Sequence, residues 1–303
     1  MAALDKIFWN GRIVSHHEAV LHVDAPAIKY GVACFEGLRA YWNPELAKQF
    51  LLLLPEHSRR LLQSLRLLRL DHDYDEDYIS NAVLETVRAN ATKDDLHIRQ
   101  TVYLDGDGAM DAAGPVAMSV MVTQRSRPKG FDDGISCQVS SWTRIADNVM
   151  PPRIKCNANY VNGRYASMQA RQDGYDNAIL LNRNGHVAEA PGACLMMVRD
   201  GVPVTPPVTG DILESITRAK LIELVWEYLD VDVQERDVHR TELYCADEIF
   251  LCGTAAEVTP VTSVDRLSVG DGRPGPVTRR LQELLTGIAS GRISDHPEWR
   301  TEV

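Results

Sequence analysis

No apolar run in the chain is long enough to cross a bilayer; Leu51 to Leu54 is only of strand length. A basic surplus is missing too. Acidic residues outnumber basic ones 42 to 32, a net charge of -10, which argues against the cationic face that nucleic acid requires. The six cysteines, Cys34, Cys137, Cys156, Cys194, Cys245 and Cys252, form no C-x-x-C pair and stand at no zinc-ligand spacing with histidine. No metal is expected, and the cysteines read as free thiols, several of them core fillers. Met1 to Asn10 carries no charged-then-apolar leader, so a cytoplasmic address is expected. Without secretion the Asn90-Ala91-Thr92 sequon has no meaning. There is no internal repeat and no low-complexity segment. What is present, 45% apolar and 7% aromatic residues, suits a globular protein. The 303 residues are enough for two ordinary domains or one large one.

Asn10-Gly11 lies between Ile7-Phe8-Trp9 and Arg12-Ile13-Val14, which predicts a hairpin. Ala19 to Val23, Cys34 to Tyr41, Phe50 to Leu54, Leu96 to Leu104 and Ala117 to Thr123 predict strands. A helix opening at Pro55 carries Leu61, Leu62, Leu65 and Leu68 on one stripe, and Asp75 to Ala89 predicts a second helix. Residues 1–125 thus read as a small α+β domain. A polar stretch with Pro128 and Gly130 marks a linker, residues 126–134. Residues 135–303 read as a larger second domain. Its expected strands are Ile135 to Ser141, Ala178 to Leu181, His186 to Ala188, Cys194 to Arg199 and Ile249 to Cys252. Its expected helices are Val161 to Gln172, Ser215 to Tyr228 and Pro276 to Ile288, with a helical turn at Glu242 to Cys245. Residues 289–303 read as a frayed polar tail.

Lys155 stands in Arg153-Ile154-Lys155-Cys156-Asn157-Ala158-Asn159-Tyr160, and Glu189 follows in Ala188-Glu189-Ala190. A buried lysine loses proton affinity and can attack a carbonyl. An acid beside it can pair with a pyridinium nitrogen, as pyridoxal phosphate needs. The alternative is a surface lysine near a proline-rich turn. Ser215-Ile216-Thr217-Arg218 opens a helix, either as a simple cap or as an anion site. Gly253-Thr254-Ala255-Ala256 is either an ordinary tight turn or a nest of amides for an anion. Arg60 is either solvated or a fork for phosphate. Arg99, on a strand among apolar residues, either pairs with an acid or awaits a carboxylate ligand.

These residues sit in an ordered set of motifs. Tyr30-Gly31 precedes Phe35-Glu36-Gly37-Leu38-Arg39-Ala40-Tyr41, then come Glu56-His57 with Arg60-Leu61, and Ile98-Arg99. Lys155 with Asn159-Tyr160, Gly174-Tyr175-Asp176 and Glu189 follow. Thr205-Pro206-Pro207, Ile216-Thr217-Arg218, Ala246-Asp247-Glu248 and Gly253-Thr254-Ala255-Ala256-Glu257 with Thr259-Pro260 complete it. The set resembles the branched-chain amino acid aminotransferases, of the fold-type IV class of pyridoxal-phosphate enzymes, along almost the whole chain. The resemblance implies a two-domain α+β fold: a small N-terminal domain and a larger C-terminal one with a barrel-like sheet. It implies pyridoxal 5'-phosphate as cofactor. It also implies amino transfer between a branched-chain or related hydrophobic L-amino acid and 2-oxoglutarate. Lys155 would form the Schiff base and shuttle the proton. Tyr160 would meet the phenolic oxygen, Glu189 the pyridine nitrogen and Leu213 the ring face. Arg60, Ile216, Thr217 and Thr254 would bind phosphate. Thr254, Ala255 and Ala256 would receive the α-carboxylate. Tyr30, Phe35 and Gly37 would line the side-chain pocket, and Arg99 would meet the second carboxylate of glutamate. A homodimer is implied, with the 107–110 loop of the partner subunit closing the pocket.

The sequence departs from the family at four places. The family has glycine and asparagine where Ala190 and Cys194 stand, Pro-Gly where Glu214-Ser215 stands, and tyrosine where His97 stands. The loop near Arg127 is also shorter. These departures bear on substrate choice. The alternatives are a fold-type IV enzyme of specialised metabolism acting on a non-standard amino acid, or one like D-amino acid aminotransferases or aminodeoxychorismate lyases. Retention of both Lys155 and Glu189 argues against a non-catalytic relative.

Overall fold

The computed structural model describes residues 3–303. Met1 and Ala2, the start of the expected first domain, lie outside the described residues. The chain forms two compact units. The first holds the residues up to Ser126, Ile154–Ala158 and Gly287–Val303, and the second Arg127–Arg153 and Asn159–Thr286.

The first unit is built on a seven-stranded antiparallel sheet. Its strands run in the order Arg300–Glu302, Lys48–Leu52, Ala33–Asn43, Leu96–Leu104, Val116–Gln124, Lys6–Trp9, Arg12–Ser15. Side chains on a strand alternate between faces. Leu38, Leu96, Ile98, Val102, Leu104, Val120 and Val122 bury one face against the helices Leu54–Leu67 and Glu76–Asn90. Those helices answer with Leu61, Leu65, Ile79, Val83 and Val87. Asp75 caps the second by accepting the Tyr78 N–H. Alternation then puts Phe35, Gly37 and Arg39 on the other face. Gly37 is paired with Arg99 and Arg39 with His97 across the strands.

Two expectations fail here. Ala19 to Val23 is not a strand: a 3-10 turn at His16–Glu18 precedes it, and Val20 and Val23 are exposed. Its alternating residues have no neighbouring strand to pair with. Residues 289–303 are not a frayed tail. Trp299 is buried, and Arg300–Glu302 pairs with Lys48–Leu52 as an edge strand. Arg300 ties it down through the carbonyls of Ile288, Ile293 and Asp295.

The second unit carries a nine-stranded mixed sheet. Its main path is Gln234–Glu235, Val202–Thr205, Ala193–Arg199, Glu248–Gly253, Glu257–Val264, Ile135–Thr143, Asn177–Leu181. Glu189–Ala190 pairs beside Ala193–Arg199, so the short strand expected at His186 to Ala188 starts later. Sequence patterning misses Glu257–Val264 because Pro260 lies inside it. The proline faces Phe250, and parallel pairing to Ile135–Thr143 begins only at Val261. Helix Tyr160–Gln172 lays Ala166 and Ala170 on Ala178 and Leu180. Gly163 permits its close approach, since a Cβ there would lie 2.9 Å from the Pro191 carbonyl oxygen. That contact fixes the start of the helix, at Tyr160, against the turn that follows Glu189. No helix among the described residues is long and apolar enough to cross a membrane.

Candidate active site

In the first unit the Ala33–Asn43 strand gathers most of the expected residues. Phe35 is buried, and two cations face its ring: the Arg99 guanidinium at 3.7 Å and the Lys155 ammonium at 5.1 Å from the centroid. Cation–π attraction strengthens as such a pair loses water. Lys155 is held by its backbone, its carbonyl accepting the Phe35 N–H at 2.9 Å and its N–H reaching Ser64 Oγ at 3.4 Å. Arg99 Nη2 donates to Asn157 Oδ1 at 3.3 Å. Gly37 leaves room for His97, whose Nε2 would lie 3.3 Å from a Cβ there. Burial, then Arg125, Arg39, Arg99 and Lys155, push His97 down to about 4, so its ring is neutral at pH 7. Tyr30 stands apart at the end of the short helix Pro26–Lys29, 46% exposed.

Strand alternation turns Glu36 the opposite way, and there it meets Arg60. Arg60 Nε and Nη2 donate to its two oxygens, each at 2.7 Å, and His57 Nδ1 lies 2.7 Å from Oε2. Burial by itself would raise the Glu36 carboxyl, but the Arg60 guanidinium and the donors around it hold it well below the usual carboxylate range. An ionised carboxylate only accepts, so His57 carries its proton on Nδ1. Burial pushes His57 down, which keeps the ring neutral. The expected phosphate ligand Arg60 is therefore oriented by an acid that stands in a sequence motif but has no role assigned from sequence.

In the second unit Glu189 is 5% exposed and is met from three directions. Arg144 Nε lies 2.8 Å from Oε1, an ion pair by distance without hydrogen-bond alignment. The Leu213 N–H donates to Oε2 at 3.2 Å, and Cys194 Sγ lies 3.7 Å from the same oxygen. Burial and then the Glu189 charge push the Cys194 thiol well above its ordinary range, so it remains a protonated donor. Cys194 pairs across the sheet with Cys252, directly before Gly253 and the Thr254, Ala255, Ala256 turn. That turn links antiparallel strands, with Gly253 opposite Glu257 and Thr259 Oγ1 donating to the Ala256 carbonyl.

Helix Ile216–Leu229 opens with Ser215, whose hydroxyl accepts the Arg218 N–H and whose carbonyl accepts the Ala219 N–H. The N–H groups of Ile216 and Thr217 precede any intrahelical acceptor, and the helix dipole favours an anion there. Glu214 does not leave an uncompensated acid beside that helix, because Arg153 Nε donates to it at 3.1 Å. Tyr160 is half-buried in the first turn of its helix. Sequence reasoning misses Arg144 altogether. It follows directly on an alternating strand, where an arginine reads as solvated.

These donor sets suit pyridoxal 5'-phosphate. Glu189 is a buried carboxylate for a ring nitrogen, the start of helix 216–229 offers amides to a phosphate, and Lys155 supplies an amine beside an aromatic wall. Each within its own unit, these are residue types that a pyridoxal-phosphate enzyme uses. Residues 33–264 match the family described as amino-transferase class IV. A protein of Aquifex aeolicus (strain VF5) named probable branched-chain-amino-acid aminotransferase is 38% identical, covering 99% of this chain and 97% of its own. The branched-chain amino acid aminotransferase of Thermobaculum terrenum in its PLP form has a TM-score of 0.92 at 40% identity, covering 100% of this chain and 99% of that one. The branched-chain aminotransferase of the thermophilic archaeon Thermoproteus uzoniensis with norvaline has a TM-score of 0.94 at 36% identity, covering 99% of each chain. The chain belongs to the class IV aminotransferases: it has the fold-type IV architecture and is a pyridoxal-phosphate-dependent transaminase.

Proposed function

We propose that the protein transfers the amino group between a branched-chain or related hydrophobic L-amino acid and 2-oxoglutarate. The observation that carries this is Arg99 lying on the Phe35 ring beside Gly37. An aromatic wall with a cation stacked on it accepts a hydrocarbon side chain in one half-reaction and a second carboxylate in the other. The names of the relatives point the same way.

When bound, pyridoxal phosphate supplies an electron sink that makes the substrate Cα–H acidic. Lys155 Nζ takes that proton and returns it. Glu189 holds the pyridine nitrogen charged, and Tyr160 bonds the phenolic oxygen. Arg60, the Ile216 and Thr217 amides and Thr254 would hold the phosphate, and Leu213 would pack on the ring. The amides of the Thr254, Ala255, Ala256 turn take the α-carboxylate. Tyr30, Phe35 and Gly37 shape the side-chain pocket. Homodimeric assembly and a cytoplasmic address are part of the same proposal, and light scattering tests the first.

The test is a visible spectrum of the purified protein before and after separate additions of L-leucine, L-isoleucine, L-valine, L-glutamate and D-alanine. A yellow band that changes with the L-branched-chain acids and glutamate is expected. A band that ignores them all moves the substrate to a non-standard amino acid. A response to D-alanine alone moves it to the D-amino acid branch.

A further inference from the structure

Arg144 contacts Glu189 and Asn162, the latter lying two residues past Tyr160, and it does so wholly within the second unit. Its Nε lies 2.8 Å from Glu189 Oε1, with the two side chains 11% and 7% exposed. Its Nη1 donates to Asn162 Oδ1 at 3.3 Å. The same oxygen accepts the Ile145 N–H at 3.3 Å, and Asn162 Nδ2 donates to the Thr143 carbonyl at 2.9 Å. Asn162 is therefore clamped to the end of strand Ile135–Thr143. It stands two residues past Tyr160 in the first turn of helix Tyr160–Gln172.

A buried arginine–glutamate pair is weak support for a fold. Apolar residues of similar volume serve as well or better, because each charge must first lose its water. A pair kept at that cost calls for another use. A carboxylate that must stay charged beside a ring nitrogen is helped by a buried counterion, and Arg144 lies 2.8 Å from Glu189 Oε1. The Leu213 N–H and the Cys194 thiol meet the second oxygen, while the guanidinium charge stands beside the first.

We propose that Arg144 is a positioning residue for the cofactor ring: it supplies the countercharge for Glu189 and, through Asn162, fixes that carboxylate relative to Tyr160. The proposal rests on the roles given above to Glu189 and Tyr160. It predicts that losing the guanidinium weakens cofactor binding, and that a lysine in its place restores much of it.

The experiment titrates pyridoxal 5'-phosphate into cofactor-stripped protein, read by fluorescence quenching and the visible band between pH 6 and 8. It compares wild type, Arg144→Gln, Arg144→Lys and Asn162→Ala, with urea unfolding of each stripped protein alongside. Arg144→Gln is expected to lose about tenfold or more in affinity, increasingly so at lower pH, as truncation of one partner of a buried charge pair does. Arg144→Lys is expected to recover most of that loss, and Asn162→Ala to lose several-fold with Arg144 intact. Arg144→Gln binding within about twofold of wild type, with the same pH profile, overturns the proposal. So does a variant that loses stability and keeps its affinity, which marks a purely structural pair. If Arg144→Gln does not fold, Asn162→Ala decides, and unchanged affinity there overturns the proposal. Wild-type protein that binds no cofactor overturns the site assignment as well, which separates the two failures.

Discussion

Arg60 in the first unit and Glu189 in the second carry opposite charges, and each is buried against a counterion of the other sign. Glu36 grips Arg60 with two aligned bonds of 2.7 Å, and His57 supports the same carboxylate from the side. Arg144 approaches Glu189 to 2.8 Å without that alignment, and an amide and a thiol supply the directed contacts. In the first unit, then, direction and charge come from one partner; in the second they are divided. The consequence is a difference in what is lost. Removing the Arg60 counterion should cost the fold first, whereas removing the Glu189 counterion should cost the ligand first.

Lys155→Ala sets the scale for that contrast. It is a member of neither counterion pair, so turnover should vanish while urea unfolding stays near wild type; a variant that transaminates at the normal rate would remove the lysine from the chemistry. Glu36→Gln comes next. It strands the buried Arg60 charge, and loss of one partner of such a pair costs about 3–5 kcal/mol. Urea unfolding measures this directly, and a cost no larger than that of Arg144→Gln would erase the proposed difference between the units. Arg99→Ala is smaller and selective. Losing a charge-assisted contact should raise the KM for glutamate roughly ten- to hundredfold. Leucine should be affected far less, and equal losses for both would break the two-substrate pocket.

A further effect is one of pH and belongs to the first unit alone. Below pH 6.5 the unfolded-chain imidazole of residue 97 takes up a proton that folded His97 refuses until about pH 4. The unfolded state then binds more protons, so stability rises with pH across that window and falls as the solution is acidified through it. His97→Asn should flatten the fall in urea midpoint between pH 6.5 and about 4. An unchanged slope would mean that the imidazole is not what Arg39, Arg99, Arg125 and Lys155 act upon.

How much of this can be read from the sequence follows from how local each signal is. Leu96–Leu104 alternates apolar and polar residues, and the strand has the expected limits. Glu257–Val264 is concealed by Pro260, which is tolerable only because one side of the ladder starts a residue later. Ala19 to Val23 shows a strand pattern without a strand to join. Arg300–Glu302 shows little pattern and still pairs, because Lys48–Leu52 offers it an edge. Lys155, Arg60 and Arg99 each have a bland reading alone, and they and Glu189 stand out through the ordered motifs around them. Arg144 does not, since its meaning lies in a carboxylate 45 positions further along the chain. Glu36 is visible as part of a motif, but its partner is known only once a helix is laid against the strand.

The returning strand has a consequence for how the protein is made. Translation delivers Lys6–Trp9 early and Arg300–Glu302 long afterwards, yet both belong to one sheet. While the ribosome works through the second unit, the outer edge of Lys48–Leu52 has no strand beside it, and its backbone donors and acceptors are open to other chains. The nascent first unit would therefore lack one of its strands until the end of synthesis. A slow ribosome or a chain cut short after Thr286 would prolong that state. Solubility during expression should then depend on residues 300–302 more than their polar composition would lead one to think.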